Sequence, residues 1–218
     1  MDITKLRTLT ISLSLRRHVG MILDATRGFF WPLFGYQNPV PIRAKRKVLL
    51  RYGADHSVWV ETGTYLGRTT EWLAGFSTSV ISIEPQQFLA RYVARRLRHK
   101  TNVKVIEGLS EVVLATVLPQ LNGNVSFWLD GHFSEGITGS GFSTTPIRHE
   151  LALIEQHKNQ FGSMTVFIDD FSSFGPHKID HRGYPPRTEI VNWAMRNDLL
   201  WTVEHDVFVA TSAKASTT

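Results

Sequence analysis

The sequence predicts an α/β protein: a doubly wound, mostly parallel sheet with a basic helical arm ahead of it. Two observations predict the sheet and a third predicts the arm. From Ser57 onward, short apolar runs that end in an acid alternate with segments of helical spacing, the pattern of β–α repeats. The first of these runs leads into a glycine-bearing loop, Gly63 to Gly67, that opens a helix. Residues 1–51 hold ten Lys and Arg against Asp2 and Asp24, a charge of +8, whereas residues 52–218 sum to −3. A chain of 218 residues fits one domain plus an arm better than two domains. The division is drawn between an arm, residues 1–47, and a body, residues 48–218.

In the arm, Leu6, Leu9, Leu13 and Leu15, then Val19, Ile22 and Leu23, make a loose apolar stripe beside Arg7, Arg16 and Arg17. Phe29, Phe30, Trp31, Leu33, Phe34 and Tyr36 follow. Such a cluster is too apolar for a free tail and must be buried against something. The body could supply that surface, the arm then acting as a lid over the cleft. A second copy of the chain would supply it in a homodimer. A membrane interface is the third candidate, with residues 1–36 in peripheral contact and the arginines facing anionic lipid. Pro32, Pro39 and Pro41 break the helix that insertion would prefer, which favours burial against protein.

The body's elements follow in order. Ser57–Glu61 is a short strand, and Arg68–Phe76 a helix. Ser79–Glu84 is a second strand. Gln86–Lys100 has helical spacing, with Phe88, Leu89, Tyr92, Val93 and Leu97 on one face. Val103–Glu107 is the third strand, Glu111–Leu121 a helix and Asn122 to Asn124 a turn. Val125–Asp130 is the fourth strand. Pro146–Phe161 is a helix with Thr144 or Thr145 as its N-cap. Met164–Asp169 is the fifth strand, Thr188–Asn197 a helix, and Leu200–Ala210 two more strands around Glu204–Asp206. Long loops, 131–145 and 171–187, follow the fourth and fifth strands, where lids and binding loops are found.

Composition excludes several chemistries. The chain has no cysteine, so a disulfide scaffold, a thiolate zinc site, an iron–sulfur cluster and a cysteine nucleophile are all excluded. A cytoplasmic location is the one expected, with membrane association through the arm as its variant. No apolar run reaches the roughly 18 residues of a spanning helix, and no uninterrupted apolar segment after Lys5 and Arg7 reads as a signal peptide. Nucleic acid is not the expected partner, because the basic residues lie in the arm and not around the cleft.

The loop Glu61-Thr62-Gly63-Thr64-Tyr65-Leu66-Gly67 lacks the three glycines of the dinucleotide fingerprint and the Lys-Ser/Thr of a P-loop. Alone it is open to a second reading, a glycine turn packing a helix on a strand. It is followed about 20 residues on by Glu84, where an acid would meet ribose hydroxyls. With VWVETGTYLG, SVISIEP and VSFWLDGH in these places, the sequence resembles the class I S-adenosylmethionine-dependent methyltransferases over residues 57 to about 211. The set ETGTYLGRTT, FWLDGHFSEG, TPIRHEL and FIDD is similar to a bacterial subgroup, the macrocin/novobiocin-type sugar O-methyltransferases. The resemblance implies a Rossmann-like doubly wound seven-stranded sheet, mostly parallel with an antiparallel last strand. It implies S-adenosylmethionine as cofactor. Glu61, Thr62, Gly63, Thr64 and Gly67 would hold its methionine moiety, Glu84 its ribose, and Leu109 and Ser110 would border its adenine. Relatives usually carry Asp where Leu109 stands, so Leu109 can only pack against the ring.

Asp130 and His132 follow the fourth strand, Asp169 and Asp170 the fifth. In a parallel order these converge, and three carboxylates within a few ångströms cannot all stay ionised without a cation. Oxygen ligands of this kind suit Mg²⁺, which would hold a diol and lower the pKa of the attacking hydroxyl. In the sugar methyltransferases the matching acids, here Asp130, Asp169 and Asp170, bind a divalent metal. Their usual Asp-Gly-Asp is Asp130-Gly131-His132 in this chain. His132 is the general base or a hydrogen-bond partner of Asp130. The expected activity is O-methylation of a saccharide or small hydroxylated metabolite, with Asp130 and His132 at the acceptor hydroxyl. The alternatives are a metal-dependent hydrolase using Asp130, His132, Asp169 and Asp170, and a non-catalytic cofactor-fold protein binding a partner through its arm. Phe133, Phe142, Phe171, Phe174 and Tyr184 would stack on the acceptor or form the core of a lid.

Overall fold

A computed structural model describes residues 3–35, 38–53, 57–130, 145–175 and 183–212. Strands β1 (Val58–Thr62), β2 (Ser79–Glu84), β3 (Val103–Glu107), β4 (Gly123–Leu129), β5 (Phe161–Ile168), β6 (Leu200–Glu204) and β7 (Val207–Thr211) form one sheet, in the order β3-β2-β1-β4-β5-β7-β6. The first five pair in parallel. The last, β7, runs antiparallel to both β5 and β6. This is the doubly wound, Rossmann-like architecture expected. The turn from β6 to β7 is His205-Asp206, both in the left-handed region at φ 50° and 63°, as a two-residue hairpin matching strand twist requires.

Helices α1 (Ile3–Phe30), α2 (Ile42–Tyr52), α3 (Arg68–Leu73), α4 (Gln87–Arg96), α5 (Ser110–Val117), α6 (Ile147–His157) and α7 (Arg187–Arg196) complete the chain. α5, α6 and α7 cover one face of the sheet. Val113, Leu114, Ile147, Leu151, Ile190 and Trp193 pack there on Val60, Phe127, Val166 and Phe208. α2 and α3 cover the other face, with Val48, Leu49 and Leu73 on Trp59, Trp128 and Phe167. Strands clothed on both sides can be apolar in nearly every position, which is why β4 and β5 read as continuous hydrophobic runs. α3 stops at Leu73, short of Phe76, because Gly75 and a turn follow; Phe76 instead sets its ring against Trp72 and Trp59. α6 begins at Ile147 with Pro146 as its N-cap in place of Thr145; Thr144 lies outside the described residues.

The arm is not a separate appendage. α2 runs through position 47, and its Val48 and Leu49 are fully buried against the sheet. α1 lies on the body through one face. Leu13 packs with Leu66 and Leu89, Arg17 bonds Glu71 at 2.5 Å, and Asp24 accepts from Ile42 N at 3.0 Å and pairs with Arg68 at 3.5 Å. Trp31 meets the His205 ring at 5.3 Å between centroids. Of the apolar cluster expected to be buried against protein, Phe29 and Leu33 are not covered by the described body, at 78 % and 79 % exposed. Tyr36 lies outside the described residues.

Candidate functional site

The strand order reverses between β1 and β4, and ligands of open α/β sheets bind beyond the carboxyl ends of the strands at such a point. Successive residues of β1 point to opposite faces, and this separates two of the predicted site residues. Glu61 points to the α3 side. Its Oε2 accepts from Thr70 Oγ1 at 2.5 Å and from Ser82 Oγ at 2.6 Å. Burial pushes its carboxyl up to about 8 against those two bonds, with Asp130 and Glu84 adding to the rise. Glu61 therefore holds a proton at neutral pH, and a cation set beside it would ionise it. Thr62 points to the opposite face, where its buried Oγ1 faces Glu150 of α6.

The loop after β1 is pinned to β2. Gly63 N and Thr64 N both donate to Ile83 O, at 3.0 and 3.3 Å, and Thr64 Oγ1 lies 2.5 Å from Ser82 Oγ. Gly63 sits at φ +86°, a conformation natural only to glycine. Glu84, at the end of β2, ties the loop down: its Oε2 accepts from Tyr65 N at 2.8 Å and its Oε1 from Gln86 N at 3.0 Å. The bond to Gln86, just ahead of α4, is the cap-like role that was the alternative for Glu84, and the bond to Tyr65 is a second one. Each oxygen still has a lone pair for a ligand hydroxyl. Burial raises the Glu84 carboxyl above its ordinary value.

Gly67 serves packing. Its φ is +65°, and a Cβ there would stand 2.5 Å from Val93 Cγ1 of α4. Arg96 of α4 donates to Leu66 O and Gly67 O at 3.1 and 2.9 Å. After β3, Gly108 adopts φ +151°, with Val113 Cγ2 2.7 Å from where a Cβ would be. Leu109 then stands 40 % exposed ahead of α5, an apolar surface for a planar ring. Ser110 begins α5 and is buried, its Oγ donating to Glu111 at 3.4 Å.

At the far side of the rim, Asp130 N donates to Thr62 O and Asp169 N to Leu129 O, both at 3.1 Å. The ladder thus delivers the two acids side by side. The charge they build up is met from an unexpected place. Lys45 Nζ of α2 lies 2.6 Å from Asp169 Oδ1 and 2.5 Å from Asp170 Oδ1, with the Lys45 and Asp169 side chains 9 % and 8 % exposed. Burial alone would lower the Lys45 ammonium, but Asp169 and Asp170 outweigh it and hold it charged. Burial and the neighbouring Asp130 push the Asp169 carboxyl upward, and Lys45 opposes them. Asp170 takes φ 44°, and its N donates to Asp169 Oδ1 at 2.8 Å. Among the described residues no three metal-ligating side chains gather into a cluster. These acids do not fit the expected Mg²⁺: the Lys45 ammonium already neutralises Asp169 and Asp170.

His132, Phe133 and Phe142 lie outside the described residues. Phe171, Phe174 and Tyr184 are buried, their rings 5.0 to 5.7 Å apart in sequence; they are core beneath the rim and do not present faces to an acceptor. Sequence reasoning missed two residues, Lys45 and Glu150. Glu150 of α6 is 1 % exposed, and neither carboxyl oxygen has a hydrogen-bond partner of good geometry. Burial raises it to about 7, opposed by the Ser110 and Thr62 hydroxyls that face it. It lines a cavity of about 10 Å³ with Thr145, Asp169 and Tyr184, enough for one water. Both residues carried a legible signal. Glu150 falls among Ile147, Leu151 and Ile154, and Lys45 among Ala44, Val48 and Leu49: each is a charge on the apolar stripe of its helix.

No family model matches the chain, and no curated protein does. Solved structures do. An O-methyltransferase from Bacillus cereus in complex with SAH aligns over 80 % of this chain and 81 % of its own, with 18 % identity and a TM-score of 0.53. Fibrillarin from Aeropyrum pernix, with natively bound S-adenosyl-L-methionine, aligns over 78 % and 75 % at 13 % identity and a TM-score of 0.49. A SAM dependent methyltransferase from Aquifex aeolicus aligns over 76 % and 87 % at 15 % identity and 0.46. The first of these likenesses establishes a shared fold.

Proposed function

We propose that this chain transfers a methyl group from S-adenosylmethionine to a hydroxyl oxygen of a saccharide or small hydroxylated metabolite. The observation that carries the reading is the rim at the strand-order reversal, where a glycine loop at positive φ lies between buried Glu61 and strand-end Glu84. The residues present suit this cofactor. Glu61 is a buried carboxyl whose charge a cationic amino group would stabilise. Glu84 offers acceptor lone pairs to a pair of hydroxyls, Gly63 and Thr64 the close backbone, and Leu109 and Ser110 an apolar edge for the adenine. When bound, the cofactor supplies a methyl group on an electrophilic sulfonium.

The chain's own work is orientation and proton removal. Asp130 stands at the acceptor end, continuing the ladder from β4, and holds the acceptor hydroxyl while accepting its proton; His132, two residues on, is the second candidate for that proton. Asp169 and Asp170 are held by Lys45 and shape the acceptor side. The chain's lead over non-catalytic readings is tested by calorimetric titration with S-adenosylhomocysteine. Wild-type chain should bind, and Glu84→Ala should lose roughly 10- to 100-fold, the worth of one or two hydrogen bonds to a charged group. Absence of wild-type binding, or full affinity in Glu84→Ala, ends the proposal. Turnover with a panel of sugars and catechols then separates transfer from binding alone.

A further inference from the structure

α1 has two faces, and only one of them is accounted for. Leu13, Arg17, Asp24 and Trp31 recur at helical spacing and meet the body. On the opposite side Ile11, Leu15, Ile22 and Phe29 follow one another at intervals of 4, 7 and 7 residues, which keeps them on a single line of α1, and Leu33 extends it in the 3-10 turn Trp31–Phe34. They are 68 %, 63 %, 64 %, 78 % and 79 % exposed. No described residue of the body covers that line. Five large apolar side chains in one stripe, roughly six turns long at 5.4 Å per turn, exceed what a monomer leaves in water without purpose.

The charge pattern decides what covers it. Arg16 and Arg27 are exposed and fall together between the stripe and the body-facing line of the helix, where long cationic side chains reach past an apolar surface into a headgroup layer. Residues 1–51 together carry +8 and residues 52–218 carry −3. A second copy docking by the same stripe would set two such arms together, like charge against like. An anionic bilayer meets the stripe with apolar chains and the arginines with phosphate, and its field turns the body outward. Among the described residues no helix is long and apolar enough to cross a membrane, so the helix would lie in the plane of the surface.

We propose that α1 docks the protein on an anionic membrane surface through the stripe from Ile11 to Leu33. The inference does not depend on the methyl-transfer reading. The experiment is flotation of the full chain with vesicles of phosphatidylcholine containing about one third phosphatidylserine, against phosphatidylcholine alone. Wild-type chain should float with the anionic vesicles and lose at least about tenfold in binding on the neutral ones. Phe29→Asp/Leu33→Asp should lose about tenfold or more on the anionic vesicles with an unchanged thermal midpoint, because both residues are surface residues. Arg16→Glu/Arg27→Glu, which leaves every apolar residue in place, should lose binding on the anionic vesicles and shed most of its salt dependence. Three results would overturn the proposal: no flotation of wild type, equal flotation on both vesicles, or a wild-type dimer that Phe29→Asp/Leu33→Asp converts to monomer without vesicle binding. The last would assign the stripe to a second copy.

Discussion

Lys45→Met tests whether the ammonium is what allows two acids to sit together after β5. Methionine keeps the length and apolar stem of the side chain and removes only the charge. Breaking a buried pair by removing one partner costs about 3–5 kcal/mol, because the other charge is left uncompensated. The Lys45 and Asp169 side chains are nearly buried, but Asp170 is 43 % exposed, so the second contact is screened and adds at most about 1 kcal/mol. Asp169 can escape part of the penalty by taking up a proton, which burial and Asp130 already favour. A loss of about 2–3 kcal/mol near neutral pH follows, read by urea denaturation with an unchanged slope. Lys45→Met/Asp169→Asn should recover most of that loss, since the stranded charge is then gone. Mg²⁺ or a chelator should leave the wild-type midpoint where it is. The reasoning is refuted if Lys45→Met costs under about 0.5 kcal/mol, if the two substitutions simply add, or if chelation destabilises the wild type.

Further expectations concern Glu150 and the two loop glycines. Glu150 titrates at about 7 in the fold against an ordinary 4.5, so the folded chain binds this proton more tightly than the unfolded one. Its contribution is full below pH 4.5 and is lost as pH rises through 7, about 3 kcal/mol in all. Glu150→Gln should flatten that part of the stability–pH profile and be the more stable protein at pH about 8; parallel profiles would show that the carboxyl is not the source. Gly63→Val should abolish S-adenosylhomocysteine binding, and a retained affinity would remove this loop as the cradle. Gly67→Ala should act on folding instead, losing about 1–3 kcal/mol through overpacking against Val93 and a strained φ, which thermal unfolding would show.

The sheet was legible because every parallel strand announces itself twice, as an apolar run and as an acid at its end. Val58–Thr62 and Ser79–Glu84 fall within a residue of expectation. Helix ends were less so. α4 stops at Arg96, although the apolar spacing carries on to Leu97, because the last residues turn toward β3. The start of β5 at Phe161 lies inside the segment read as a helix, since a Phe-Gly-Ser edge entering a sheet carries no period. The division at residue 47 falls inside α2 for a similar reason. Arg43, Lys45, Arg46 and Lys47 give that segment the composition of a solvated arm, while Ala44, Val48 and Leu49 give it a buried face.

Lys45 and Glu150 extend the same point from fold to site. A net-charge count treats every lysine as solvent-facing, and so assigns Lys45 to a basic patch. Electrostatics asked for a cation beside these acids, and the deduction looked for it outside the chain, whereas Lys45 of α2 stands beside Asp169 and Asp170. Spacing supplied what charge counting lost. A lysine or glutamate one or two positions from three apolar residues on a helix face must be buried with them, and a buried charge needs a partner or a proton. Applied to α2, that rule demands acids facing Lys45, and the rim provides Asp169 and Asp170. Applied to α6, it pushes Glu150 toward its protonated form, against the Thr62 and Ser110 hydroxyls that face it. The two helices flank the rim from opposite faces of the sheet, so one brings a positive charge to it and the other an acid whose ionisation burial disfavours. The acceptor side of this site is built by residues whose helical position, and not their local motif, gives them away.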